Sequence, residues 1–157
     1  MTSQIPVTLE RSIDIAASPA TVWGIVSDLR RTPEWSPECR RVVVLRRAGS
    51  IQPGTQLLGI NRLRFAVWPT RSVVTEVSPE QRIAWNVRTS GATWSYELEP
   101  TPTGTRLVER RDGGTGMPTV AATFTRFLLG GVSGHSAELE DHIEVSLLRI
   151  KSLAEKE

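Results

Sequence analysis

The residues best suited to chemistry are few and scattered. His135 and His142 are the two histidines of the chain. On a helix their spacing puts them on nearly the same face, about 10 Å apart. Two ligands at that separation cannot share one ion. A zinc site would need further ligands close by, and Cys39 is the only thiol. No metal is expected, and both histidines read as polar residues at the edge of a helical stripe. Cys39 with a histidine would be the minimal nucleophile and base. Cys39, however, follows a proline-containing turn beside Arg40 and Arg41, and nothing in the sequence brings a histidine to it. The chain has no Gly-x-Ser-x-Gly elbow. Gly113-Gly114-Thr115-Gly116 lacks the lysine and the strand-to-helix setting of a phosphate loop. It reads as a loop beside a cavity entrance, and no cofactor is expected.

A second group is defined by side-chain alternation. Trp85, Trp94 and Tyr96 share a strand face with Ile83, Val87 and Leu98. Aromatic and aliphatic walls suit an apolar guest. The same rings would also plug the space beneath a helix, and alternation alone does not choose between the two. Arg71 shares a face with Val73, Thr75 and Val77, Glu109 with Thr105 and Leu107, and Asn61 with Leu57 and Gly59. A charge turned inward must be paired or hydrated. Arg71 with Glu109 supplies such a pair, and so does Arg11 with Glu109. A guest carrying a carboxylate, phenol or ketone would take the arginine instead. A strand bulge would reverse the parity and send these groups to solvent.

The elements that must position these side chains follow from periodicity. Val7, Leu9, Ile13 and Ile15 alternate with polar residues in a half-buried strand, with Arg11 an exception of the same parity. Ser18 supplies an N-cap oxygen and Pro19 fits the first helical position. Val22, Trp23, Ile25 and Val26 give that short helix an apolar side. Residues 29–35 form a second short turn, limited by Pro33 and Pro37. Strands are expected over 42–46, 55–63, 67–77, 83–87, 94–98 and 105–111. Pro53-Gly54, Ser78-Pro79, Ser90-Gly91 and the segment 100–104 supply the turns. Strands joined so tightly favour an antiparallel meander. Residues 112–117 form a loop. Val120, Phe124, Phe127 and Leu128 recur at helical spacing up to Gly130-Gly131, which either kinks the helix or separates two. From 133 to 154 a long amphipathic helix carries the stripe Val132, Leu139, Ile143, Leu147, Ile150 and Ala154.

This order has a geometric consequence. One helix about 10 Å across cannot cover a six- or seven-stranded sheet roughly 30 Å wide. Side chains, water or a guest must fill the remainder.

Composition narrows the classes. The 157 residues fit one domain, and 39% apolar with 23% charged residues is ordinary for a soluble globular chain. A formal charge of +2, spread over short arginine pairs, makes no nucleic-acid surface. A lone cysteine permits no intrachain disulfide. No secretory leader and no apolar run of bilayer length is found, so a cytoplasmic location is expected.

The ordered elements resemble the START-like, or helix-grip, superfamily (SRPBCC), and within it the polyketide cyclase/dehydrase-like proteins common in actinobacteria. The opening Ile13-Asp14-Ile15-Ala16-Ala17-Ser18-Pro19 with Val22-Trp23 carries the likeness. So do Asp28 with Pro33 and Trp35, Gly54-Thr55, Gly59 with Asn61, Trp68 with Thr70, and Pro79 with Ala84-Trp85. Trp94 with Tyr96, Gly104-Thr105-Arg106 and Glu109 complete the set. The resemblance implies an α+β helix-grip fold in a single domain. A curved antiparallel sheet would wrap the long C-terminal helix, with two short helices after the first strand and a cavity between sheet and helix. Fold analogy does not choose a reaction. The expected function is carriage or sensing of a hydrophobic small molecule such as a lipid or polyketide-like compound. Trp85, Trp94, Tyr96, Phe124, Phe127, Leu139 and Ile143 would line the site, and Asn61, Arg71 and Glu109 would orient a polar end. The alternative is an aromatase/cyclase-type enzyme steering aldol closure of a poly-ketone, with Glu109, His135 or Tyr96 as acid or base. The apolar patch from Phe124 to Val132 serves either as a cavity lid or as a dimer surface, which leaves monomer and homodimer open.

Overall fold

A computed structural model describes residues 8–46, 49–113 and 132–157, with the backbone alone over 132–139. Seven strands form one sheet in the order β1-β7-β6-β5-β4-β3-β2. Every neighbouring pair is antiparallel. The strands are β1 (Leu9–Ile15), β2 (Cys39–Leu45), β3 (Gln56–Leu63), β4 (Ala66–Ser78), β5 (Arg82–Val87), β6 (Thr93–Thr101) and β7 (Gly104–Asp112). The expected α+β helix-grip architecture is thus present, with seven strands.

Helix α1 (Pro19–Val26) begins as its sequence dictates. Ser18 is extended, and its Oγ accepts from the Thr21 amide at 3.2 Å. Pro19 takes the first helical position, where no amide hydrogen is needed. Leu29–Glu34 is a single 3-10 turn with Pro33 inside it, short because a longer helix would lose a backbone hydrogen bond at that proline. It delivers Trp35 to the interior. Helix α2 (Val132–Glu155) presents Ile143, Leu147, Ile150 and Ala154 to the core, all buried. Each large aliphatic side chain so buried contributes about 2 kcal/mol.

The core is one cluster joining α1, the 3-10 turn, α2 and the inner face of the sheet, with Ile15, Ile25, Trp35, Ile83, Leu107 and Ile150 among its members. Helix α2 lies mainly against β1 and α1, with a smaller contact on β7. Polar links fix that placement. Lys151 Nζ donates to the Asp14 carbonyl at 2.8 Å, and Glu155 Oε1 accepts from the Ala16 amide at 2.9 Å. Arg11, the odd charge in β1, reaches α2 at Glu140 (3.3 Å) and Glu144 (3.6 Å). The β6–β7 turn is closed by Gly104, where a Cβ would collide with the Ile15 carbonyl oxygen. Beside it Thr105 Oγ1 donates to the Ala17 carbonyl at 2.8 Å.

Helix α2 therefore covers the β1–β7 end of the sheet. On the inner faces of β3, β4, β5 and the start of β6, Asn61, Trp68, Thr70, Trp85, Val87 and Trp94 remain only half-buried. The mismatch between one rod and a broad sheet is accommodated there.

Candidate functional site

Strand register places the interior side chains in transverse rows. Trp85 pairs with Trp94, Trp94 with Arg111, and Arg111 with Leu9. One layer deeper, Ile83 pairs with Tyr96, Tyr96 with Glu109, and Glu109 with Arg11. Leu98 and Leu107 follow beneath. Exposure falls along this series. Trp85, Trp94 and Arg111 are half-buried, whereas Ile83, Tyr96 and Glu109 are buried. The rows describe an inner sheet face with half-buried aromatic side chains at one edge and a buried polar pair behind them.

That inner pair is held by three elements. Trp35, fully buried, donates its indole Nε1–H to Tyr96 Oη at 3.1 Å. Tyr96 Oη in turn donates to Glu109 Oε1 at 3.4 Å. Glu109 Oε2 is shut from solvent and has no hydrogen-bond partner among the described residues. Burial disfavours the carboxylate and pushes the Glu109 carboxyl up to about 8, only partly opposed by the Tyr96 hydroxyl. Glu109 is therefore mostly a neutral acid at pH 7, with a proton to donate. Burial, reinforced by Glu109, drives the Tyr96 phenol well above its ordinary range. The Trp85 ring lies 5.5 Å from that of Tyr96, tilted by 43°.

The rim carries a cation. The Arg111 guanidinium sits 5.9 Å from the centroid of the Trp94 ring. Burial lowers its pKa, as expected for a charge drawn from water. On the β3–β4 side, Asn61 Nδ2 donates to the Trp68 carbonyl at 3.3 Å and to Thr70 Oγ1 at 3.1 Å. Gly59 leaves room for this, since a Cβ there would lie 2.7 Å from Thr70 Oγ1.

Several expectations meet the geometry directly. Trp85, Trp94, Tyr96, Glu109 and Asn61 all belong to the inner face, and Ile143 is buried in the core beneath α2. Arg71 needs correction. A bulge between Val74 and Glu76 divides β4 into two stretches of opposite parity. Before it Ser72 and Val74 point inward and Arg71 is exposed, so Arg71 pairs with nothing in the interior. The Arg11–Glu109 pair is corrected too. Arg11 binds Glu140 and Glu144, while Glu109 turns to Tyr96. Phe124 and Phe127 lie outside the described residues, as do the side chains of Leu139 and His135.

Alternation missed four participants. Arg111 lies two residues beyond Glu109 on the same face, so the parity argument carried further along β7 reaches it. Trp35 leaves an irregular turn whose direction no periodicity reports. Glu38 and His142 form a contact between the β2 approach and α2, with Oε1 and Nδ1 2.9 Å apart. Cys39 is buried and its thiol is pushed up to about 11 by that burial, so it is a poor nucleophile at neutral pH. Among the described residues no group of three or more His, Cys, Asp or Glu side chains could hold a metal ion. No helix among them is long and apolar enough to cross a membrane. An open depression of about 510 Å³ lies elsewhere, lined by Glu76, Gln81, Arg82, Glu97, Leu98, Glu99, Pro100 and their neighbours, with no aromatic ring in its wall.

A family model described as polyketide cyclase/dehydrase and lipid transport matches residues 6–140. Among solved structures, the chain is similar to the Zhui aromatase/cyclase from Streptomyces sp. R1128, with 15% identity and a TM-score of 0.74 over 97% of this chain and 95% of that one. It is also similar to StfQ, a di-domain aromatase/cyclase of the steffimycin biosynthetic pathway, at 20% identity and a TM-score of 0.72. That match covers 96% of this chain and 51% of StfQ, so the chain spans about half of that protein's length. The polyketide cyclase-like protein Cgl2372 from Corynebacterium glutamicum is 29% identical, with a TM-score of 0.56, over 94% of this chain and 91% of that one. No functionally curated protein matches.

Proposed function

The chain belongs to the polyketide cyclase/dehydrase and lipid transport family, and from that premise we propose that it binds a hydrophobic, oxygen-bearing small molecule in the hollow between its sheet and α2. One observation carries the reading. Half-buried Trp85 and Trp94 stand on an inner face that α2 leaves uncovered, in front of a buried Tyr96–Glu109 pair with an unsatisfied oxygen. Apolar walls with a few convergent polar groups are what a small-molecule site requires. The indoles supply contact area. The neutral Glu109 carboxyl donates to a ketone or hydroxyl oxygen, and Trp35 holds Tyr96 in the position that receives or donates beside it. The guest is carried or sensed without turnover.

Native mass spectrometry of gently purified protein, with tryptophan fluorescence titrations against fatty acids, sterols and aromatic polyketides, tests this. A retained guest, or a saturable quenching of the rim tryptophans, is the expected result. Protein that retains nothing and responds to none of these compounds overturns it.

A second reading is favoured by the same carboxyl. Aldol closure of a poly-ketone forms a carbon–carbon bond as the attacking α-carbon gives up its proton to a base or water and the ketone oxygen gains one from an acid. A carboxyl held near neutrality is suited to that work. On this reading Glu109→Gln abolishes cyclisation of a bound poly-ketone while its affinity stays within a few-fold of the native value. Binding without any cyclised product from the native protein favours the carrier.

A further inference from the structure

We infer that Arg111 is an anion-binding element at the rim of the hollow, and that the guest is an apolar molecule bearing one anionic group, a carboxylate or sulfonate. The inference rests on the binding reading above and narrows its ligand class. Arg71 and Arg11 were the interior cations expected from the sequence, and the structure sets Arg111 apart from both. Arg71 is exposed on the outer face. Arg11 shares the interior parity but is neutralised by Glu140 and Glu144. Arg111 alone of the three is inward, half-buried and without a carboxylate partner among the described residues.

The nearby acids are committed elsewhere. Asp112 follows Arg111 in sequence and faces the other way, where it meets Arg110 Nε at 2.7 Å and accepts from Thr8 Oγ1 at 3.1 Å. Glu10 lies on that same outer side, 4.0 Å from Arg110. Glu109, two residues away on the inner face, turns to Tyr96. Burial itself withdraws water from the Arg111 guanidinium. The ring face of Trp94 attracts it but supplies no hydrogen-bond acceptor in the guanidinium plane. A guanidinium presents a planar fork of donors that fits a carboxylate or sulfonate in two-point fashion. Seated above Trp94, that fork is oriented before a guest arrives. An anionic group at Arg111 would leave the apolar body of the guest against Trp94 and Trp85. Its far end would point toward the Glu109–Tyr96 row.

Two fluorescent probes that differ only in the charged group make the test. 8-Anilino-1-naphthalenesulfonate carries a sulfonate, and N-phenyl-1-naphthylamine is the same ring system without it. The native protein is expected to bind the sulfonate probe about tenfold or more tightly than the neutral one, the scale of a charge-assisted contact. Arg111→Gln should erase most of that preference, weakening the sulfonate probe far more than the neutral one. Arg111→Lys should retain part of it. Equal affinity of the native protein for both probes, or an undiminished preference in Arg111→Gln, overturns the inference and leaves the binding reading standing. Failure to bind either probe overturns the inference, while the binding reading stands or falls on the fatty acid, sterol and polyketide titrations. If Arg111→Gln does not fold, the comparison on the native protein and on Arg111→Lys still decides.

Discussion

Glu109 should make the protein less stable as pH rises across the neutral range. Its carboxyl has an ordinary value of 4.5 when exposed and about 8 when buried in the fold. The folded state therefore binds a proton that the unfolded chain has released throughout that interval. A group raised in this way contributes its stability fully below the unfolded value, and the contribution is lost as pH climbs toward the folded one. Each pH unit within the window costs up to about 1.4 kcal/mol. Between pH 5 and pH 8 the loss is about 3 kcal/mol, a large share of a typical domain's stability. Glu109→Gln keeps the shape and hydrogen-bonding capacity of the neutral acid and cannot ionise. Urea unfolding of both proteins at half-unit steps from pH 5 to pH 8.5, followed by far-UV circular dichroism, reads the difference. The native protein should fall relative to the variant by that amount, with the two converging near pH 5. Parallel curves over the whole range would refute the assignment of a buried carboxyl, only partly compensated by Tyr96, to the inner face of the sheet.

Two further outcomes follow from the same interior. Tyr96→Phe removes the acceptor of the buried Trp35 indole and the donor to Glu109; it should cost about 1–3 kcal/mol in urea unfolding. The same change should shift the Glu109-dependent loss of stability to higher pH, because the hydroxyl is what holds that carboxyl down. Gly104→Ala drives a Cβ into the Ile15 carbonyl at the β6–β7 turn. It should destabilise by roughly 3 kcal/mol or more, read as a lowered melting temperature with no change in the relative affinities for the two naphthalene probes.

Much of this arrangement is legible along the chain because it rests on local rules. The Ser18-Pro19 start of α1, the stripe through Ile143, Leu147 and Ile150, and the alternation in β5, β6 and β7 each need only neighbouring residues. Tyr96 and Glu109 could be placed on one face by parity, and they prove to be direct cross-strand partners. Arg71 illustrates where parity fails. Apolar Val73 and Val77 follow it at the same spacing parity, yet the extra residue at the bulge reverses the sense of the strand between them. Arg111 illustrates the opposite error, since the rule applied to Glu109 would have reached it two positions on.

Sequence alone determined the element order, the helix start, the strand faces and the shortage of helical cover. These follow from periodicities of 3.6 and 2 and from the widths of a rod and a sheet. Tertiary structure decided which charges are buried alone. Glu109 acquires its neutral proton when burial beside Tyr96 strips its water, and Arg111 is drawn from water beside Trp94. The energy of an ionised group depends on the water removed from every side of it, and no stretch of chain encodes that by itself.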